Sequence, residues 1–169
     1  YSVGSDIALT SIAKVSDELN LHSFISYSTA LICNNKNKLR EKLSDLHLGK
    51  YTIKYKQITT LSDLKEWDVF PAIIKPSDSQ GQRGISVVKS KEELFNAFVL
   101  AKEKSLSHTA IIEEIVEGFE ISINVYLKDN KVVFNFITER ISFDEYPGGI
   151  IKSHKYPLLK EHDLSKLDT

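Results

Sequence analysis

Apolar and polar positions follow two periods along this chain, and the change from one to the other marks out the elements. Between Asp6 and Leu19, the residues Ile7, Leu9, Ile12, Ala13, Val15 and Leu19 recur near a 3.6-residue spacing, which predicts an amphipathic helix with Ser5 or Asp6 as its cap and Asn20 at its end. Ala30-Leu31-Ile32-Cys33 is apolar but too brief to assign. Leu39, Leu43 and Leu46 amid Lys38, Arg40, Glu41, Lys42 and Asp45 predict a second helix over about 35–47. Tyr51, Ile53 and Tyr55 alternate with Thr52, Lys54 and Lys56, the period of a strand covered on one face. Leu61, Leu64 and Trp67 then fit one face of a short helix. The apolar run Phe70-Pro71-Ala72-Ile73-Ile74 predicts a buried strand that delivers Lys75 at its end, before Pro76 turns the chain. Ile85-Ser86-Val87-Val88-Lys89 is the returning strand. Ser90-Lys91-Glu92-Glu93 matches an S-x-x-E capping box and predicts a helix to about Lys104 that buries Leu94, Phe95, Phe98 and Ala101. Ala110 to Val116 reads as a strand entering an acidic connector. Residues 120–127 and 131–139 alternate around Lys128-Asp129-Asn130 as a β-hairpin. From Arg140 onward, Pro147-Gly148-Gly149 and Pro157 interrupt any regular pattern.

Composition narrows the classes. A chain of 169 residues with 41% hydrophobic content can build a real core. The 22 basic and 23 acidic side chains give a net charge of −1, so no broad basic field for nucleic acid or an anionic membrane exists, and any anion site has to be local. Cys33 is the single cysteine, which excludes an internal disulfide and fits the cytoplasm. No apolar run approaches the roughly 20 residues of a membrane-spanning helix. The chain begins at Tyr1 and contains no methionine, so it is expected to be part of a longer protein.

The chemistry concentrates between Phe70 and Glu120. Ser77-Asp78-Ser79-Gln80-Gly81-Gln82-Arg83-Gly84 carries two glycines, two serine hydroxyls and an arginine, a composition suited to wrapping polyphosphate with backbone N–H groups and a positive charge. It is neither G-x-G-x-x-G nor a Walker loop. The lysine precedes the loop, and the loop joins two antiparallel strands. Taken singly, a strand-end lysine is more often a solvated charge, Ser77 to Gly84 fits any hairpin loop, and the acids of Glu113 to Glu120 fit a solvated turn.

The order Lys36, then Phe70-Pro71-x-x-x-Lys75-Pro76-Ser77, then Gly81-x-Arg83-Gly84-Ile85, then Ile112-Glu113-Glu114-Ile115-Val116-Glu117-Gly118-x-Glu120 resembles the ATP-grasp superfamily, from about Asp6 to Pro157. The carbamoyl-phosphate-synthase-like and carboxylate–amine ligase branches are the most similar. The resemblance implies an α+β fold with an antiparallel-sheet lid lobe and the start of a larger C-terminal lobe. The expected division is 1–49 as the helical end of a preceding domain, 50–116 as the lid subdomain, and 117–169 as the incomplete C-terminal subdomain.

It also implies roles. Lys36 and Lys75 bind the phosphates of ATP, and the loop carrying Ser77, Ser79, Gly81, Arg83 and Gly84 closes over them as a lid. Adenine N6 meets the Glu113 side chain and the Glu114 carbonyl, the Val116 N–H faces N1, and Glu120 accepts from the ribose hydroxyls. Mg²⁺ arrives with ATP, and its protein ligands, an acidic residue followed by Glu-x-Asn in the family, are expected outside this chain because nothing after Glu139 fits that pattern. Lys152, His154 and Lys155 lie where several members contact phosphate or substrate, although solvated basic residues are the commoner reading. The implied function is the ATP-binding part of a ligase that joins a small carboxylate to an amine or thiol through an acylphosphate, with a homodimeric parent and no activity in this chain alone. A nucleotide-binding module without catalysis is the alternative.

Overall fold

In the computed structural model, residues 6–143, 145 and 149–156 are described. Contacts divide the chain into two compact units, Tyr1–Val116 and Glu117–Thr169.

In the first unit, three helices precede a sheet: α1 (Leu9–Glu18), α2 (Tyr27–Asn34) and α3 (Lys36–Asp45). Helix α1 begins after Ala8, later than the sequence pattern suggests, and Asn20 ends it with a φ of 51°. Helix α2 is the apolar stretch that periodicity left unassigned, and Ser26 starts it by accepting the Thr29 N–H at 3.2 Å. Asn35 caps α3 in the same way through Lys38 N–H at 3.1 Å.

The sheet has the order β1-β4-β2-β3, formed by β1 (Tyr55–Ile58), β2 (Ala72–Pro76), β3 (Ser86–Val88) and β4 (Ala110–Glu114), with every neighbouring pair antiparallel. The alternation from Tyr51 points to a strand that starts too early. Gly49–Tyr51 is a 3₁₀ turn with Tyr51 exposed, and pairing begins only where Tyr55 faces Glu113 across β4. Between β1 and β2, Leu61–Leu64 forms a short 3₁₀ helix with a capping box in which Thr60 and Asp63 exchange hydrogen bonds.

Helix α4 (Leu94–Glu103) covers one sheet face. Its Leu94, Ala97, Phe98 and Ala101 form the core with Ile58, Leu64, Trp67, Ala72, Ile74, Val88, Ala110 and Ile112. Two expectations fail here. Lys91–Glu93 is a 3₁₀ turn in which the Ser90 side chain makes no cap, and the Glu93 carboxylate accepts the Lys89 N–H at 2.8 Å in place of the Ser90 N–H of a capping box. Phe95 is exposed, since the core stripe passes through Leu94, Ala97, Phe98 and Ala101 and leaves it on the outer side.

The second unit is a three-stranded antiparallel sheet of β5 (Ile121–Lys128), β6 (Lys131–Ser142) and β7 (Ile151–Lys155), ordered β5-β6-β7. The hairpin turns at Asp129 and Asn130, with φ of 51° and 59°, the left-handed pair that a two-residue hairpin loop prefers. Strand β7 corrects the reading of this region as irregular. Ile151 to Lys155 pairs with Ser142 to Glu139, and the sequence gives no long apolar run to announce it because all five of its residues are exposed. Pro147, Gly148 and Pro157 lie outside the described residues.

Burial sets the first prediction. Ile74 is fully buried between β4 and α4, so Ile74→Ala should cost about 3 kcal/mol in a denaturant titration. Val99→Ala, on the half-exposed side of α4, should cost less than about 1 kcal/mol.

Candidate functional site

Strand alternation puts Ile74 and Ile112 on the α4 face, and therefore Lys75 and Glu113 on the other. Residues Ile73 and Glu113 are direct partners in the register, so Lys75 lies diagonally from Glu113 on the same face. Helix α3 brings Arg40 to this face. The Glu113 carboxylate, only 2% exposed, is shared: Arg40 donates to Oε1 from Nη2 at 2.8 Å and from Nε at 3.2 Å, and the Lys75 ammonium pairs with Oε2. Burial alone would raise the Glu113 pKa, but the Lys75 and Arg40 charges and hydrogen bonds outweigh it and hold the carboxyl below its ordinary 4.5.

The first turn of α3 is bound to the loop after β2. Lys36 N–H donates to the Ser77 carbonyl at 2.8 Å, Asn37 Nδ2 to Ser77 Oγ at 2.7 Å, and Lys36 Nζ to the Ser79 carbonyl at 2.9 Å. Burial, then the nearby Lys75 ammonium, keeps the Lys36 amine below the usual lysine range, with Glu113 and Asp78 acting in the opposite sense. Between these elements lies a cleft of about 280 Å³ lined by Lys36, Lys75, Ser79, Gly81 and Arg83, among others. At Gly81 the φ is 67° and the space a side chain would take is open.

Other expected site residues are placed differently. Ser77 is fully buried, and its hydroxyl accepts from Asn37 and from Thr109 Oγ1 at 2.9 Å, so it joins α3 to β4 and does not line the cleft. Gly84 has a φ of 72°, and a Cβ there would lie 2.9 Å from Lys104 Cβ, so its need for glycine comes from close packing. The Glu114 carboxylate accepts the Lys54 N–H at 2.7 Å, and Val116 is exposed. Glu120 belongs to the second unit, where it pairs with Arg140 Nε at 3.3 Å. In that unit His154 Nδ1 hydrogen-bonds Thr138 Oγ1 at 2.9 Å, while Lys152 lies 5.7 Å from the centre of the Phe143 ring and Lys155 is exposed.

Sequence reasoning missed three contributors. In the sequence Arg40 belongs to the polar flank of α3, and its position one helical turn after Lys36 is the available signal. Arg140, the partner of Glu120, had no signal of its own. Asp78 anchors the start of the loop by accepting from Ser105 Oγ at 2.7 Å, Leu106 N–H at 3.0 Å and Ser107 N–H at 2.8 Å. Although burial opposes it, this set of hydrogen bonds leaves the Asp78 carboxyl below its ordinary value.

The family profile described as "D-ala D-ala ligase C-terminus" matches residues 45–147, more than half of the chain. The chain belongs to this family. Relatives of the family include a D-alanine–D-alanine ligase of Aquifex aeolicus, 30% identical over 105 residues that cover 60% of this chain and 34% of the relative. A formate-dependent phosphoribosylglycinamide formyltransferase of Trichormus variabilis is 35% identical over 96 residues, 54% of this chain and 24% of that protein. The chain thus spans about a quarter to a third of these relatives. Among solved structures, an L-amino acid ligase from Bacillus licheniformis superimposes with a TM-score of 0.70 at 22% identity, covering 97% of this chain and 38% of that one. The D-alanine–D-alanine ligase of Coxiella burnetii gives 0.72 at 14% identity, covering 94% and 44%. The fold is of ATP-grasp type. Among the described residues, no helix is long and apolar enough to cross a membrane.

The shared carboxylate gives a pH-dependent prediction. A carboxyl whose folded pKa is depressed stabilises the fold fully above its unfolded value, near 4.5, and that contribution is lost as pH falls through the lower folded value. Glu113→Gln should cost about 3 kcal/mol at neutral pH, by leaving two cations without their anion. Denaturant titrations between pH 7 and pH 3 should show the gap between wild type and variant narrowing toward the acid end.

Proposed function

We propose that this chain is the ATP-binding part of an ATP-dependent ligase that joins a small carboxylate to an amine or thiol through an acylphosphate. The observation that carries this reading is the convergence of Lys36, Lys75 and Arg83 on one cleft beside the Gly81 turn, in a family whose relatives include a D-alanine–D-alanine ligase. Three cations from different elements around an open glycine turn suit a polyphosphate, whose charge they offset while backbone N–H groups take its oxygens.

In the reaction, a carboxylate oxygen attacks the γ-phosphorus and the bond to the β-phosphate oxygen breaks, releasing ADP. The amine or thiol then attacks the acyl carbon, loses a proton and expels inorganic phosphate. Lys75 and Lys36 stabilise the terminal phosphates, Arg83 and the Ser79 to Gly81 backbone enclose them, and exclusion of water protects the acylphosphate from hydrolysis. Ser77 and Gly84 hold the loop in place without touching the nucleotide.

For the base, the roles assigned are adenine N6 to the Glu114 carbonyl and N1 to the Val116 N–H; the Glu113 carboxylate, expected from the resemblance to meet N6 as well, is buried and shared between Arg40 and Lys75, so its role is on the phosphate side. Glu120 accepts from the ribose hydroxyls, which are donors and suit a carboxylate. ATP would carry Mg²⁺. Among the described residues no group of three or more His, Cys, Asp or Glu side chains fits a metal ion.

Isothermal titration tests the phosphate assignment. Lys75→Ala should weaken ATP binding by about 1.5–3 kcal/mol, the worth of a hydrogen bond to a charged group, while Lys89→Ala, exposed after β3, should leave it unchanged. Equal affinities for the two variants would remove Lys75 from the site.

The ribose assignment has its own test. Glu120→Ala should lower affinity for ATP by about tenfold and for 2′,3′-dideoxy-ATP by less than about twofold, because the lost partners are the hydroxyls. An equal loss for both nucleotides would refute the role given to Glu120.

A further inference from the structure

The Glu113 carboxylate is not divided evenly. Arg40 spends two N–H groups on Oε1, whereas Lys75 holds Oε2 alone. A guanidinium is a flat fork with fixed donor directions, and an ammonium is a compact charge with three donors that follows the nearest anion. With Oε1 occupied, one Lys75 donor is committed to Oε2 and the other two remain for the cleft that Lys75 lines. Arg40 itself is absent from the cleft lining, and its guanidinium lies 5.8 Å from the centre of the Tyr55 ring, on the covered side.

We propose that Arg40 is a positioning residue that sets the direction of the Lys75 ammonium by holding the far oxygen of Glu113. This rests on the ATP-binding reading above. Without Arg40, the buried Glu113 carboxylate keeps its full charge with one cation to offset it, and both of its oxygens become open to Lys75. The ammonium then turns from the cleft to bridge them, because a charge held in a poorly solvated place draws its counter-ion strongly. The phosphates lose a partner that still exists in the fold. Arg40 and Lys36 stand one turn apart on α3, so the helix that contributes one phosphate cation directly controls a second through Glu113.

The test compares ATP with adenosine, since only ATP carries the phosphates Lys75 would meet. Wild type, Arg40→Met and Arg40→Lys are titrated with both ligands by calorimetry, with thermal melts as a fold control. Arg40→Met should weaken ATP about tenfold, a coupling within the range of residues in one ion-pair network, and adenosine less than about twofold. Arg40→Lys, which restores a charge at Oε1, should recover ATP binding to within about threefold of wild type. If Arg40→Met is unfolded at the titration temperature, Arg40→Gln takes its place with the same expected split. Equal losses for ATP and adenosine, unchanged ATP affinity, or a lysine variant no better than methionine would each overturn the proposal. A wild type that binds no ATP would overturn the reading beneath it, a result distinguishable from one in which wild type binds and Arg40→Met binds equally well.

Discussion

A carboxylate almost without solvent is the constraint on which the first unit depends. Glu113 is the next-to-last residue of β4, the strand paired on both sides, and at 2% exposure its charge is compensated by protein groups. Removing such a group from water costs several kcal/mol, so counter-charges have to arrive with good geometry. One comes from β2 in the same sheet and the other from α3, an element more than seventy residues earlier in the chain. The face of the sheet opposite α4 thus carries this ionic cluster beside the fully buried Ile111, whereas the α4 face is closed by aliphatic and aromatic side chains.

The same arrangement fixes the loop. Ser77 follows directly from β2, and its buried hydroxyl and carbonyl take hydrogen bonds from Asn37, Thr109 and Lys36. Asp78 is held by the turn after α4. The start of the loop is anchored on two elements, and the segment that reaches the cleft begins only at Ser79. A rigid base with an open glycine at its tip gives a loop that can adjust around a ligand while keeping Lys75 and Lys36 in register.

Much of this is legible in the amino-acid sequence. Buried runs such as Ala72 to Pro76 and Ala110 to Glu114 declare themselves because consecutive or alternating burial leaves few other readings, and the order of lysine, loop and acidic connector pointed to the fold. The failures have physical causes. Tyr51 to Lys56 alternates as a strand does, but alternation cannot say where pairing begins, and the partner strand lies more than fifty residues away. Ser90 to Glu93 has the letters of a capping box, yet Glu93 meets the Lys89 N–H. For the site, residue type named the cations but not their partners. Ser77 and Gly84 look like ligand contacts because hydroxyls and glycines in a loop suit phosphate, and only packing reveals that one is a buried junction and the other a close approach to Lys104.

Arg40 shows why such partners escape a linear reading. On the helix it is one more charge in a polar stretch with Lys38, Glu41 and Lys42, and nothing local separates it from them. What separates it is the angle around the helix axis, which carries Lys36 and Arg40 to the sheet while Lys38 stays exposed. Two cations of like charge on one helix face would repel each other and Lys75, and the amine of Lys36 does lie below its ordinary range partly for that reason. Glu113 pairs directly with Arg40 and Lys75, and it acts on Lys36 only as a nearby charge that, with Asp78, partly offsets the effect of Lys75. The Lys36 ammonium donates to a carbonyl oxygen, that of Ser79, at 2.9 Å. A chain with a net charge of −1 thus keeps a local excess of positive charge where Lys36, Lys75 and Arg83 converge, and the group that balances such a cleft is an anion.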